Sequence, residues 1–145
     1  MQLTHYTDYA LRTLIFLGLT ERGGTIGQVA AAYGISKNHL VKVVHHLGKL
    51  GYLKTTRGKA GGIRLAAPPG AINIGEFVRQ VEPNFHMVEC FNPERNACPI
   101  TPECRLKGVL CEATDAFLEV LDRYTLEDLL TKRDALRASL QLSER

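Results

Sequence analysis

The four cysteines of this chain, Cys90, Cys98, Cys104 and Cys111, all fall within one stretch of 22 residues with the pattern C-x7-C-x5-C-x6-C. Deprotonated thiols are soft ligands suited to zinc and to iron-sulfur clusters, and they are also redox-active. The pattern holds no close C-x2-C pair, so a compact zinc ribbon or knuckle is a poor match, while spacing alone leaves zinc open. Iron-sulfur clusters accept varied ligand spacings when a loop wraps them. Unligated cysteines are mostly buried, whereas these lie amid Asn92, Pro93, Glu94, Arg95 and Asn96. The residues favour metal or cluster binding, with redox-active thiols or one zinc ion as the alternative.

A second chemistry is anion binding. Residues 1–70 carry nine Lys/Arg against two Asp/Glu, and residues 71–145 carry nine against thirteen, so the net charge of +3 divides into +7 and −4. A basic half beside an acidic one suits a protein that brings one part to a polyanion and keeps the other away, although a solvated surface carries such charges too.

Catalysis is not expected. No C-x-x-C pair is present, no nucleophile sits beside an evident base, and no phosphate-cradling glycine loop follows a strand. A length of 145 residues gives one respectable core, or a small domain plus a dimerising element. The start, MQLTHYTDYALRTL, lacks the pattern of a secretory leader, and no apolar run approaches the ~18 residues of a membrane span. A cytoplasmic protein without a membrane partner is expected, in a reducing compartment that disfavours structural disulfides.

The elements that must position these residues follow from periodicity and caps. Thr7 is the expected cap of a first helix bearing Ala10, Leu11, Leu14, Ile15 and Leu17, stopped by Gly23-Gly24, with Asp8 as an ordinary acid of the first turn. Thr25 caps a short second helix with Ile26, Val29, Ala30 and Tyr33 on one face, Gly34 allows a tight turn, and Ser36 caps a third helix. That helix buries Leu40, Val43, Val44, Leu47 and Leu50, and displays Lys37, Asn38, His39, Lys42, His45, His46 and Lys49. Two short strands, Tyr52-Leu53 and Ile63 to Leu65, stand around a glycine-rich connection carrying Arg57, Lys59 and Arg64, and form a basic wing. Asn73 starts a further helix with Phe77, Val78 and Val81, which ends before Pro83.

Residues 83–102, with four prolines, read as a long loop. From Glu103 a long helix carries Leu106, Val109, Leu110, Ala113, Phe117, Val120, Leu121 and Tyr124 near a 3.5-residue repeat. Such a seam either covers the chain's own N-terminal domain or pairs with a second copy. The expected fold is therefore mainly α. It has a winged helix-turn-helix domain over 1–82, a cysteine-bearing loop over 83–104, a dimerisation helix with a short following helix over 105–130, and a poorly ordered polar tail over 131–145.

A helix of this kind fits the major groove of double-stranded DNA and reads bases from its N-terminal turn, which makes Ser36, Lys37, Asn38 and His39 the candidates for base contact. Lys42, Arg57 and Lys59 are placed for phosphates. A winged helix used for protein interaction is the alternative.

The segments LTHYTDYALRTL, YGISKNHLVKVVHHLGKLGYL, RGKAGGIRLA, INIGEFVRQVEP, CPITPECRLK and YTLEDLL carry a resemblance over residues 1–130. The chain resembles the NsrR-type nitric-oxide-sensing repressors, within the superfamily of winged-helix iron-sulfur regulators. The resemblance implies a homodimer that binds its operator while an iron-sulfur cluster is intact, [4Fe-4S] favoured over [2Fe-2S], and releases it when nitric oxide attacks the iron. It implies Cys90, Cys98 and Cys104 as cluster ligands, with Asp8 of the partner subunit as the fourth.

Two features depart from many relatives: seven residues separate the first two cysteines, and Cys111 is an extra thiol. Cys111 should lie about 10 Å beyond Cys104 along one helix, and reads as a packed thiol more than as a ligand. Related regulators of cluster assembly place a histidine three residues after the third cysteine, where this chain has Lys107.

Overall fold

The computed structural model of the chain describes residues 2–20, 22–56, 58 and 61–142. Helix α1 (His5–Leu19) starts one residue after Thr4, whose side chain accepts from the Thr7 N–H at 3.3 Å. The cap expected at Thr7 is thus displaced three residues upstream, and Thr7 is fully buried inside the first turn. The local pattern offered two threonines three apart, and Thr4 has a tertiary partner described below. Ala10, Leu14, Phe16, Leu17 and Leu19 bury the inner face of α1.

Helix α2 (Ile26–Tyr33) opens with a reciprocal cap, in which Thr25 accepts from the Gln28 N–H at 3.2 Å and Gln28 accepts from the Thr25 N–H at 2.8 Å. Gly34 then adopts φ 64°, a left-handed conformation that glycine enters without a Cβ clash, and turns the chain into α3 (Lys37–Lys49). Leu40, Val43, Val44 and Leu47 form the buried stripe of α3 against α1 and α2. Ser36 occupies the N-cap position as expected, but its hydroxyl makes no capping bond.

Strands β1 (Leu53–Thr56) and β2 (Gly62–Leu65) pair antiparallel, with Leu53 opposite Leu65, Lys54 opposite Arg64, Thr55 opposite Ile63 and Thr56 opposite Gly62. Gly24 extends the hairpin by two further bonds with Ile63, at 2.9 and 2.7 Å, so the wing is anchored to the loop after α1. Helix α4 (Ile74–Val81) is capped by Asn73, which accepts from the Glu76 N–H at 2.9 Å. It buries Ile74, Phe77, Val78 and Val81.

Two single 3-10 turns, Glu89–Phe91 and Thr101–Glu103, interrupt an otherwise irregular segment before α5 (Arg105–Asp122). The C-terminal end of α5 is clamped to the start of α4. Arg79 reaches both oxygens of Asp122, Asn73 Nδ2 donates to the Asp122 carbonyl at 2.7 Å, and the Ile74 N–H donates to the Tyr124 carbonyl at 2.9 Å. A Cβ on Gly75 would collide with the Asp122 carboxylate and stand 2.8 Å from its backbone nitrogen, so this crossing requires glycine.

Most of α5 projects from this clamp. Only Thr114 and Leu118 are buried, while Leu106, Val109, Val120 and Tyr124 are 61%, 51%, 47% and 46% exposed. The expected seam is therefore largely uncovered by its own chain, which argues against its serving mainly as a lid for the N-terminal domain.

Of the expected polar tail, residues 131–142 are instead structured. After α6 (Leu126–Leu129), helix α7 (Arg133–Ser139) returns to α1, with Leu136, Leu140 and Leu142 against the core. Arg133 donates to the Gly18 carbonyl at 2.9 Å and Arg137 to the Leu19 carbonyl at 2.6 Å. Arginines of the expected tail thus satisfy the last carbonyls of α1, which have no acceptor role within the helix.

Candidate nucleic-acid interface and metal centre

The first turn of α3 stands clear of the body. Ser36, Lys37, Asn38, His39 and Lys42 are all exposed, on the face opposite the buried stripe. Val41, 46% exposed on the same surface, escaped sequence reasoning because a valine reads as core; here it offers an apolar contact of the kind that suits a thymine methyl. His46 does not belong to the open face, since its Nδ1 lies 2.8 Å from the Tyr6 hydroxyl. Burial raises the Tyr6 hydroxyl above its ordinary value, which keeps it neutral.

His39 is not independent of α1: its ring stacks on Tyr9 with centroids 6.3 Å apart, and Tyr9 stacks on His5 at 6.0 Å. In the wing, Lys54 and Arg64 are exposed and directly opposed across the hairpin. Like charges in that position destabilise a hairpin unless an anion lies near them. Lys54 carried no periodic signal of its own. Arg57 and Lys59, the expected phosphate contacts of the wing tip, lie outside the described residues.

Asp8 sits in the first turn of α1, where it takes Arg12 as partner at 2.8 to 2.9 Å. Together with Gln2, His5, Tyr9 and Tyr33 the pair lines an open cleft of about 580 Å³ beside the turn into α3. The Arg12 guanidinium lies 5.7 Å from the centre of the Tyr33 ring. Burial pushes the Tyr33 hydroxyl up, Arg12 opposes the shift and Asp8 adds to it.

The cysteine loop is knitted by short-range bonds. Glu89 accepts from the Ala97 N–H at 2.6 Å, which joins the Cys90 turn to the Cys98 turn. Asn96 accepts from the Cys98 N–H at 3.1 Å, and the Thr101 hydroxyl donates to the Cys98 carbonyl at 2.9 Å. The Cys104 N–H donates to the Thr101 carbonyl at 3.4 Å, and Cys104 is the N-cap residue of α5. All four cysteines are half-buried free thiols, and Cys111 lies within α5.

The donor set fits an iron-sulfur cluster in type: three accessible thiols on one loop, none consumed by a disulfide. It is not gathered in a single chain. Among the described residues no three His, Cys, Asp or Glu side chains stand close enough to hold a metal ion, and no cysteine lines the cleft that holds Asp8.

A helix-turn-helix with an exposed polar first turn, followed by a hairpin wing with opposed basic residues, defines a DNA-binding regulator of transcription. The chain matches the Rrf2 family, described as iron-dependent transcriptional regulators, over residues 3–132, and it belongs to that family. It is similar to the HTH-type transcriptional regulator NsrR of Halalkalibacterium halodurans, 56% identical over 144 residues that cover 98% of this chain and 99% of the relative. NsrR of Bacillus subtilis is 52% identical over 146 residues, covering 99% and 100%.

Among solved structures, CymR, the global cysteine regulator of B. subtilis, superimposes with a TM-score of 0.70 at 28% identity over 91% of this chain and 98% of its own. T. potens IscR does so with 0.70 at 25% identity over 100% and 94%. The resemblance read from the sequence and the winged-helix fold both stand, and the chain is a regulator rather than an enzyme. No helix among the described residues is long and apolar enough to cross a membrane.

Proposed function

We propose that this chain is a cytoplasmic homodimeric repressor that binds a double-stranded DNA operator and senses nitric oxide through an iron-sulfur cluster. The observation that carries the reading is the set of three free, half-buried thiols, Cys90, Cys98 and Cys104, on one hydrogen-bonded loop in a chain 56% identical to an NsrR regulator. These would hold the cluster, [4Fe-4S] in preference to [2Fe-2S], with Asp8 of the partner subunit as fourth ligand. Cys111, inside α5, is a packed thiol in this scheme.

When bound, the cluster supplies iron with which nitric oxide reacts. The residues of the chain supply the rest. As a carboxylate, Asp8 would be a harder and weaker donor to such iron than the thiolates, and would leave that iron more open to a small molecule. Arg12, one turn along α1, pairs with the Asp8 carboxylate and also lies against the Tyr33 ring, so it would link the state of Asp8 to the end of α2. Tyr9, next to Asp8, supports His39 at the start of α3. Ser36, Lys37, Asn38 and His39 read bases, and Lys42, Lys54, Arg57, Lys59 and Arg64 hold phosphates. Ligation across the dimer would tie the cysteine loop of one subunit to the DNA-binding half of the other, giving two states of different DNA affinity.

The test is purification without oxygen, followed by a visible spectrum, iron and sulfide analysis, and DNA binding before and after nitric oxide. Loss of cluster absorbance together with DNA affinity supports the reading. A colourless, iron-free protein, or a complex indifferent to nitric oxide, overturns it.

A further inference from the structure

The Glu82 carboxylate is buried, the residue being 8% exposed, and the DNA-reading residues and cluster ligands make no use of it. It stands where two parts of the chain meet. Glu82 closes α4, its N–H donating to the Val78 carbonyl at 2.9 Å, and Pro83 behind it opens the cysteine segment. Its Oε2 accepts from the N–H and the hydroxyl of Thr4, at 3.1 and 3.0 Å, across 78 positions of sequence.

A threonine hydroxyl has one proton to give. With that proton directed at Glu82, the lone pairs of Thr4 Oγ1 face α1, where the Thr7 N–H donates at 3.3 Å and the Thr7 hydroxyl stands at 3.1 Å. The Thr4 carbonyl accepts from the Asp8 N–H at 3.0 Å. One buried acid therefore orients the cap of the turn that carries Asp8, and its charge suits the positive end of the helix.

We propose that Glu82 is a positioning residue that ties the stem of the cysteine loop to the first turn of α1 in its own chain, and so sets how Asp8 is presented to the partner subunit's cluster. This rests on the reading of Asp8 as a ligand. Each chain then contributes to both sites of the dimer through one shared set of part-buried hydrogen bonds. A displaced loop stem withdraws the acceptor from Thr4, frees its hydroxyl to rotate and loosens the turn.

The test compares Glu82→Ala and Glu82→Gln with the unaltered protein, alone and combined with Asp8→Ala. In metal-free protein, Glu82→Ala is expected to speed amide hydrogen exchange at Thr7 and Asp8 about tenfold. Glu82→Gln keeps an oxygen that accepts from Thr4, and is expected to change the rate by no more than about threefold. In the cluster-loaded dimer, Glu82→Ala should reproduce the altered spectrum and shortened cluster lifetime of Asp8→Ala and add little to them in the double variant. Should Glu82→Ala fail to fold, Glu82→Asp, which draws the carboxylate back and keeps its charge, gives the same readings. Additive effects, or unchanged exchange in a folded variant, overturn the positioning role and leave Asp8 a ligand. An Asp8→Ala protein with unchanged spectrum and cluster lifetime removes the ligand reading, and the proposal falls with it.

Discussion

Asp8 and Arg12 face each other one turn apart on α1, Arg12 Nε donating to Asp8 Oδ1 at 2.9 Å and Nη2 to Oδ2 at 2.8 Å. The side chains are 39% and 41% exposed, so water screens the pair. Such i,i+4 pairs contribute about 0.3–0.5 kcal/mol. Asp8 can therefore exchange Arg12 for another cation at small cost, which a switchable ligand needs.

On the proposed reading, Arg12 would compete with iron for the same carboxylate. Arg12→Gln removes the competitor and is expected to lengthen cluster lifetime about two- to threefold, with folding stability changed by less than about 0.5 kcal/mol. Decay of cluster absorbance under a chelator measures the first, and denaturant unfolding the second. Faster decay would mean that Arg12 supports Asp8 as a ligand and does not draw it away.

On the proposed reading, the DNA face separates into two kinds of contact. Lys54→Ala and Arg64→Ala should each weaken binding alike on operator and unrelated DNA, and lower the salt dependence by about one counterion. Asn38→Ala should act on the operator alone, at about 1–3 kcal/mol, and relax sequence preference. Binding isotherms at several salt concentrations distinguish the two. Equal losses of Asn38→Ala on both DNAs would move Asn38 to the phosphate group.

Local signals made much of this legible. The caps at Thr25 and Asn73, the buried stripe of α3 and the hairpin all depend on residues within a few positions of one another, and the sequence displays such spacing directly. What escaped depends on distant partners. Thr4 prevails over Thr7 as cap with Glu82 beside it, 78 positions away. Helix α7 forms where Arg133 and Arg137 meet carbonyls 115 and 118 positions back, and no local pattern announces that. The cysteines were legible as a possible donor set, while no three His, Cys, Asp or Glu side chains among the described residues stand close enough to hold a metal ion, and local spacing does not announce that.

The clamp between α4 and α5 predicts a pH dependence. Hydrogen bonds from Arg79 hold the Asp122 carboxyl below its ordinary value of 3.8, and bonds from Thr125 do the same for Asp128. A depressed folded value means that the folded state binds fewer protons than the unfolded chain. The stabilisation is fully present above pH 3.8 and is lost as pH falls through the folded values. Asp122→Asn should flatten the fall of Tm on acidification, and added salt should shrink the difference, since the pair is exposed. Parallel melting curves for the variant and the unaltered protein would show that the pair adds nothing to folding.

The uncovered seam of α5 carries the last prediction. Leu106 and Val109 are 61% and 51% exposed, so their own chain gives them little to pack against. If they cover a second α5, Leu106→Glu with Val109→Glu should turn a dimer into a monomer by sedimentation. The thermal stability of that monomer should no longer depend on protein concentration, as that of a dimer does. DNA affinity should fall as well, because twofold operators reward simultaneous contact by two reading helices. The substitutions leave the buried line of Thr114 and Leu118 untouched, so the helix should remain seated on α4. A monomer before substitution would remove the supply of Asp8 across a dimer, and a dimer indifferent to the two glutamates would place the subunit contact elsewhere.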